Sequence, residues 1–367
     1  MLVIVEESYK ITVWCREILD GLKQEARKKR VNLTFSSNTD DINAKNSGKA
    51  IMLVGSETNW LKKAVERVKE AGKHPIVLSN QSAGALGSGV SYVTEDLEGS
   101  MKEICNHFNS QGKRRLALYA VNPASASDEC KKASFLASGG HIDDVFVNEG
   151  SLLACFNSFL AKLEQNRYDG IICVNDFAAI SLLRHMQKAE VDRASIDMIS
   201  YSNTLISRCS SPAVSSVRAN YNDFGQMAFM IMDCIGKSEL INGIHIFGKW
   251  EIVHRETSSG EKHATLCNEG LTAKETEMGR FYGDPELQDL LQIEDLLSSC
   301  DKTDLAILAQ ILDGKKHAEI AEACFLTETA VKYRIRKMKE ICHCESRAAL
   351  RDFLFTYVSD LSALMNV

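Results

Sequence analysis

The sequence predicts an α/β protein: doubly wound parallel-sheet units in front, and a small all-α helix-turn-helix unit at the C-terminal end. Three observations predict it. Short apolar strands alternate with amphipathic helices over about the first 250 residues, the pattern of parallel sheets covered on both faces. The 367 residues exceed what one ordinary core holds, so two or three domains are expected. Residues 314–341, GKKHAEIAEACFLTETAVKYRIRKMKEI, read as helix, tight turn, helix, with the second helix basic on one face.

The front part begins with a strand at Val3, Ile4 and Val5, followed by a helix over 14–29. Strands are expected at 31–35 and 50–54, the latter the apolar run AIMLV, then a helix over 59–71 and a strand at 74–78. The alternation continues with a helix at 100–109, strands at 115–120 and 144–147, and a helix at 151–165. A strand at 170–174, a helix at 177–189 and a strand at 197–201 follow. This length accommodates two sheet units. Open parallel sheets bind ligands at the carboxyl ends of their strands, so a site is expected in the loops there. Residues 84–89, GALGSG, have a loose glycine pattern but lead into no clear helix, which makes a weak nucleotide loop. Residues 257–292 are polar and read as a linker, with some helix from 285 to 297.

In the C-terminal segment, Ile320, Ala321 and Cys324 fall three or four apart and suit the buried side of a short helix. Thr327 is a good N-cap, and Glu328 favours the positive end of the helix that follows. Val331, Ile335, Met338 and Cys342 then form one apolar stripe. Lys332, Arg336, Lys337 and Lys339 lie off that stripe, and Arg334 near its edge. An apolar back and a basic front fit a DNA major groove, although a solvated surface helix has the same pattern.

Composition narrows the class. A net charge of −6 argues against non-specific coating of nucleic acid by the whole chain, so any DNA binding must come from local charge. Hydrophobic residues at 45% and charged residues at 25% are globular values. The N-terminus lacks a basic leader region, and no apolar run is long enough to span a membrane; a cytoplasmic location is expected. The 12 cysteines have no framework spacing and read as reduced, mostly buried residues. Cys342, His343 and Cys344 lack the second ligand pair a zinc site needs, so no metal is expected. No Walker A motif, zinc motif or nucleophile elbow appears, and neither an enzyme nor a cofactor is expected.

Residues 300–350 resemble the LuxR-type (GerE-type) DNA-binding domain. GKKHAEIA, CFLTETAVKYR and IRKMKEI match that family's successive motifs, as do Ser346-Arg347 and the acidic Asp304. Cys300, Ala330, Arg334 and Cys342 depart from its usual residues. The resemblance implies a recognition helix whose Lys332, Tyr333 and Arg336 face the groove. It also implies that Thr327 caps that helix and can touch a phosphate, and that Lys316 and His317 meet the DNA backbone. The helix around Leu350 and Leu354 packs the domain, and its counterpart in the family often pairs two copies on DNA.

Residues 2–256 resemble the sensor domain of the lactose-repressor family, a type I periplasmic-binding-protein fold. The matching segments are DGIICVNDFAAISLL at 169–183, MISYSNTLISRCSSPAVSSV at 198–217, a helix at 222–235 and KWEIVHRE at 249–256. The resemblance implies two lobes crossed three times by the chain, with a small ligand, often a sugar, between them. Lobe 1 would be about 1–95 and 221–246, and lobe 2 about 96–220 and 247–256. A linker over 257–296 and a helix-turn-helix domain over 297–367 would follow. Matching positions nominate Ser8, Trp14, Asn80, Lys131, Asn175 and Ser202 as the pocket. Lys131 stands where the family has Arg, and Asn80 and Ser202 stand where it has Asp. Trp14 also fits as a core residue, Asn175 as a helix cap and Lys131 as a solvated cation.

The expected function is a ligand-responsive transcription regulator. Its expected partners are operator DNA, a small effector with sugars among the candidates, and a second copy of the chain. The alternative is a response-regulator-like or protein-controlled factor whose front domain binds no small ligand. Against that, the strand AIMLV ends at Gly55-Ser56, where a phosphorylated Asp would be needed.

Overall fold

The computed structural model describes residues 1–43, 45, 48–80, 85–237, 241–258, 283–358 and 360–365. The first half runs β1 Leu2–Val5, α1 Val13–Lys29, β2 Thr34–Ser36, β3 Ala50–Val54, α2 Thr58–Glu70, β4 His74–Leu78, β5 Ser91–Glu95 and α3 Leu97–Ser110. Next come β6 Leu116–Val121, α4 Ala126–Ala137, β7 Val145–Val147, α5 Leu152–Asn166, β8 Gly170–Cys173, α6 Asp176–Lys188 and β9 Asp197–Tyr201. The front part ends with α7 Leu205–Cys209, β10 Ser215–Ala219, α8 Tyr221–Lys237, β11 His245–Gly248 and β12 Trp250–Val253. The C-terminal part is helical: α9 Pro285–Ser299, α10 Lys302–Leu312, α11 His317–Ala323, α12 Glu328–Ile341, α13 Arg347–Phe355 and α14 Ser362–Met365.

Two six-stranded sheets result. The first has the order β11-β5-β4-β3-β1-β2, the second β12-β10-β9-β8-β6-β7. All pairings are parallel except β10 with β12. The chain passes between the sheets after β5, after β10 and after β11. The fold is thus a two-lobed parallel α/β architecture followed by an all-α unit.

Strand periodicity explains the layers. In β1 and β3, Val3, Val5, Met52 and Val54 enter the core under α1 and α8, while Leu2, Ile4, Ile51 and Leu53 enter the core under α2. Alternate side chains leave opposite faces and both faces are covered, which is why these strands are apolar throughout. Where α1 crosses α8 the backbones touch: a Cβ on Gly21 would lie 2.0 Å from the Asn222 carbonyl oxygen. Glycine is required there by the close approach.

Several elements differ from expectation. The strand expected at 31–35 forms at Thr34–Ser36, at the open edge beside β1. α4 and β5 had no signature in the sequence. The inward side of α4 includes Asp128, Lys131 and Ser134, so it lacks an apolar stripe. β5 buries Ser91 and Thr94, each bonded to a histidine ring, His74 or His245. The weak glycine stretch lies in the loop before β5, and its Gly84 is outside the described residues.

Residues 259–282 of the expected linker also lie outside the described residues. Its described end is a buried helix. α9 is apolar on more than one side, with Leu287, Leu290, Leu291, Ile293, Leu296 and Leu297 all buried. It packs against α6 and α7 of the second lobe and against α12. One continuous core runs from the second lobe through α9 into the C-terminal helices.

Candidate ligand cleft and nucleic-acid interface

The loops at the carboxyl ends of both sheets meet around a cleft. Small-ligand sites in open parallel sheets have this topological position. From the first lobe come Tyr9 after β1, Trp14 in the first turn of α1, Ser56 after β3, Ser79 and Asn80 after β4, and Glu95 closing β5. The second lobe contributes Asn122 and Ser125 after β6, Asp128 and Lys131 on α4, Asn175 before α6, and Tyr201 and Ser202 at the end of β9. Tyr221, at the start of α8, joins them.

Of the nominated residues, Trp14, Asn80, Lys131, Asn175 and Ser202 line the cleft. Ser8 does not: it is exposed, and its hydroxyl donates to the buried Glu6. Glu6 also accepts the Ser56 and Glu57 N–H groups at 2.7 and 3.0 Å, so this carboxylate shapes the loop after β3. Tyr9, one residue on, reaches the cleft instead.

Each lining residue has a local cause. Thr12 caps α1 by accepting from Cys15 N–H at 3.2 Å, which sets the first turn where Trp14 sits. The Trp14 indole meets the Phe177 ring of the opposite lobe edge-on, with centroids 6.4 Å apart. Asn80 Oδ1 accepts from Glu95 N–H at 2.9 Å and ties two strand ends together. Asn175 caps α6 by accepting from Ala178 N–H at 2.9 Å. Ser202 has φ of 106°, a left-handed conformation unusual for a residue with a Cβ.

Lys131 is only 6% exposed. Its Nζ donates to the Val174 carbonyl at 2.9 Å, lies 3.3 Å from Asp128 Oδ1, and sits 4.9 Å above the Tyr201 ring. It is therefore neither solvated nor free. Burial pushes the Asp128 carboxyl above its ordinary value, against the pull of Lys131 and of the Asn122 N–H. Burial likewise raises Glu95, whose carboxyl takes the Tyr221 hydroxyl as donor. Among the described residues the buried Ser79 hydroxyl has no partner. A lining of hydroxyls, amides and aromatic faces, with one orphaned hydroxyl, suits a small polar ligand rich in hydrogen-bonding groups.

The second site is the C-terminal unit. Val331, Ile335 and Met338 of α12 are buried, and Cys342 caps its end. Thr327 accepts from Ala330 N–H at 3.2 Å as the N-cap. The opposite face carries Lys332, Tyr333 and Arg336 into solvent, with Tyr333 62% exposed. Among the described residues Lys332 pairs only with Glu328 of its own helix (3.2 Å), and Arg336 lies near Glu340 (3.7 Å) and over the Tyr333 ring (5.5 Å). Exposed pairs of this kind are weak and yield to a phosphate. Arg334 is different: it bonds Asp301 and Asp304 at 2.9 and 2.7 Å, which pins α12 to the start of α10. Lys316 N–H donates to Glu319 at 2.6 Å at the start of α11, beside His317. Burial, and then the Arg347 and Lys332 charges, lower the His317 imidazole below its ordinary value.

Residues 301–341 match the family described as winged helix-turn-helix DNA-binding. Among the described residues no strand follows β12, so the unit is helical throughout. The front part is similar in fold to a transcription regulator from Lactobacillus plantarum, at 15% identity and a TM-score of 0.58, covering 71% of this chain and 99% of that one. It is also similar to the transcriptional regulator CelR in complex with cellobiose, at 16% identity and a TM-score of 0.58, covering 70% and 83%. A LacI family regulator from Weissella paramesenteroides with bound sucrose gives 14% identity and a TM-score of 0.56, covering 70% and 97%. No curated relative matches by sequence. These likenesses establish the fold: a LacI-like, two-lobed α/β front part with a C-terminal helix-turn-helix.

Sequence reading missed Tyr9, Ser79, Glu95, Asp128, Tyr201 and Tyr221. Glu95 and Asp128 were detectable in principle as lone acids beside strand or helix ends, but α4 and β5 were not visible as elements. The tyrosines pass as ordinary core residues until the topology brings them together.

Proposed function

We propose that the chain is a ligand-responsive, sequence-specific transcription regulator. A small effector carrying several hydroxyl or amide groups binds the cleft, and α12 enters the DNA major groove. Sugars are the leading candidates, because two proteins of this fold carry cellobiose and sucrose in their descriptions. The C-terminal unit is of the LuxR type in this reading, supported by its all-helical build and by α13 following the recognition helix. We read the protein as a non-catalytic homodimer acting in the cytoplasm. Groove contacts come from Lys332, Tyr333 and Arg336, and backbone contacts from Lys316, His317 and Thr327.

The observation that carries this reading is the face of α12. Its apolar side is consumed by packing, while the groove-facing Lys332 and Arg336 meet carboxylates of their own helix alone among the described residues. The test uses duplexes selected from a random library by the full-length protein. Lys332→Ala with Arg336→Ala is expected to weaken binding about a hundredfold and to flatten the salt dependence by about two charges. Unchanged affinity and preference would discard the DNA-reading assignment. For the cleft, a thermal-shift screen of mono- and disaccharides should give a rise of about 5 °C at saturating ligand. No rise with any of them favours a front domain controlled by a protein partner.

A further inference from the structure

Helix α9 is held in place by carboxylates. Asp284, its N-cap, accepts from Leu152 N–H at the start of α5 at 2.7 Å. Glu286 accepts from Ser181 Oγ at 2.9 Å and from Arg184 Nη1 at 2.8 Å, and meets His185 Nε2 at 3.0 Å, all on α6. Glu294 accepts from Leu205 and Ile206 N–H, at 2.9 and 2.8 Å, in the first turn of α7. These three side chains fasten α9 to the second lobe. The first lobe reaches the same helix by another route: Arg16 of α1 forms an ion pair with Asp295.

Two of the helices that hold α9, α1 and α6, also start at the cleft. Trp14 lines the cleft two residues before Arg16 in the first turns of α1. Asn175 lines it at the N-cap of α6, which carries Ser181, Arg184 and His185 further along. Beside Asn175, the buried Asp176 accepts from Thr204 N–H at 2.6 Å and Thr204 Oγ1 at 2.8 Å, and Thr204 is the N-cap of α7. A ligand touching Trp14 and Asn175 therefore acts on both lobes at the roots of α1 and α6. α9 also packs against α12.

We propose that α9 is the transmission element of the switch: closure of the lobes on the effector alters the Arg16–Asp295 contact, and α9, anchored to the second lobe, passes the change to the seat of α12. This rests on the functional reading above. Both members of the pair are accessible, with side chains 40% and 44% exposed, so substitution does not empty a core.

The test is hydrogen–deuterium exchange on the full-length protein without ligand, with affinity for the library-selected duplex measured in parallel. Arg16→Asp sets two carboxylates against each other. It is expected to speed amide exchange in α9 and α12 and to shift duplex affinity by about fivefold. Asp295→Arg should do the same, and the double swap Arg16→Asp with Asp295→Arg should return both readouts towards wild type. Single variants that leave α12 exchange at the wild-type rate would overturn the proposal. If Lys332→Ala with Arg336→Ala does not weaken duplex binding, the DNA assignment fails, while the exchange result still decides the role of α9.

Discussion

Lys131 shows what one side chain costs and does. A lysine that is nearly enclosed loses water and must be repaid by partners, here Asp128, the Val174 carbonyl and the Tyr201 ring. Lys131→Met leaves Asp128 with no cation in reach and is expected to cost about 3 kcal/mol in urea unfolding. Adding Asp128→Asn should recover much of that loss. In the sequence Lys131 was legible as a candidate only through the resemblance, because a lysine on a polar helix normally points to solvent. Glu294 gives a pH-dependent expectation. Burial raises its carboxyl to about 7, against the pull of the Leu205 and Ile206 N–H groups. The unfolded chain therefore ionises first as pH rises. Its contribution is favourable below the ordinary carboxylate value and is lost through about pH 7, by about 3 kcal/mol in all. Glu294→Gln should remove that slope, so the variant gains on wild type between about pH 5 and pH 8 in thermal melts.

Among elements, α12 was the most legible and α4 the least. The stripe of Val331, Ile335, Met338 and Cys342 is a packing requirement, and it is buried as its spacing demands. Thr327 is a cap by chemistry alone, and Thr327→Ala should lower stability by about 1 kcal/mol in urea unfolding, with a comparable loss of helix order near Glu328. α4 is helical for a different reason. Ser125 caps it by accepting from Asp128 N–H at 3.3 Å, and its inward side is polar because it faces the cleft between the lobes. Patterns read from apolar spacing fail where a polar cleft replaces the core. α9 was half legible: its leucines promised a helix, but apolar residues on two sides mean two partners, which a linker does not have.

At the scale of the whole molecule, alternation of strands and helices was sufficient to expect two parallel-sheet lobes, since both faces of each sheet must be covered. The lobe crossings, and the meeting of Tyr9, Glu95, Tyr201 and Tyr221 in one cleft, come from contacts distant in sequence that no local pattern encodes. The docking of the C-terminal unit was invisible for the same reason. Arg184 packs over the Tyr357 ring at 4.8 Å, a contact between α6 and the segment after α13.

The shared core of the second lobe, α9 and the C-terminal helices has a consequence for how the chain unfolds. Domains joined by a loose tether melt independently, whereas domains that share buried leucines melt together. Calorimetry should therefore show the DNA-binding helices losing structure in the same transition as the second lobe, with the first lobe free to melt apart from them. A chain cut after Val253 would bare the apolar sides of α6 and α7 and should precipitate where the intact protein stays dispersed. The second lobe and the C-terminal helices, separable on paper as two modules, are in this sense a single folding unit with the first lobe attached.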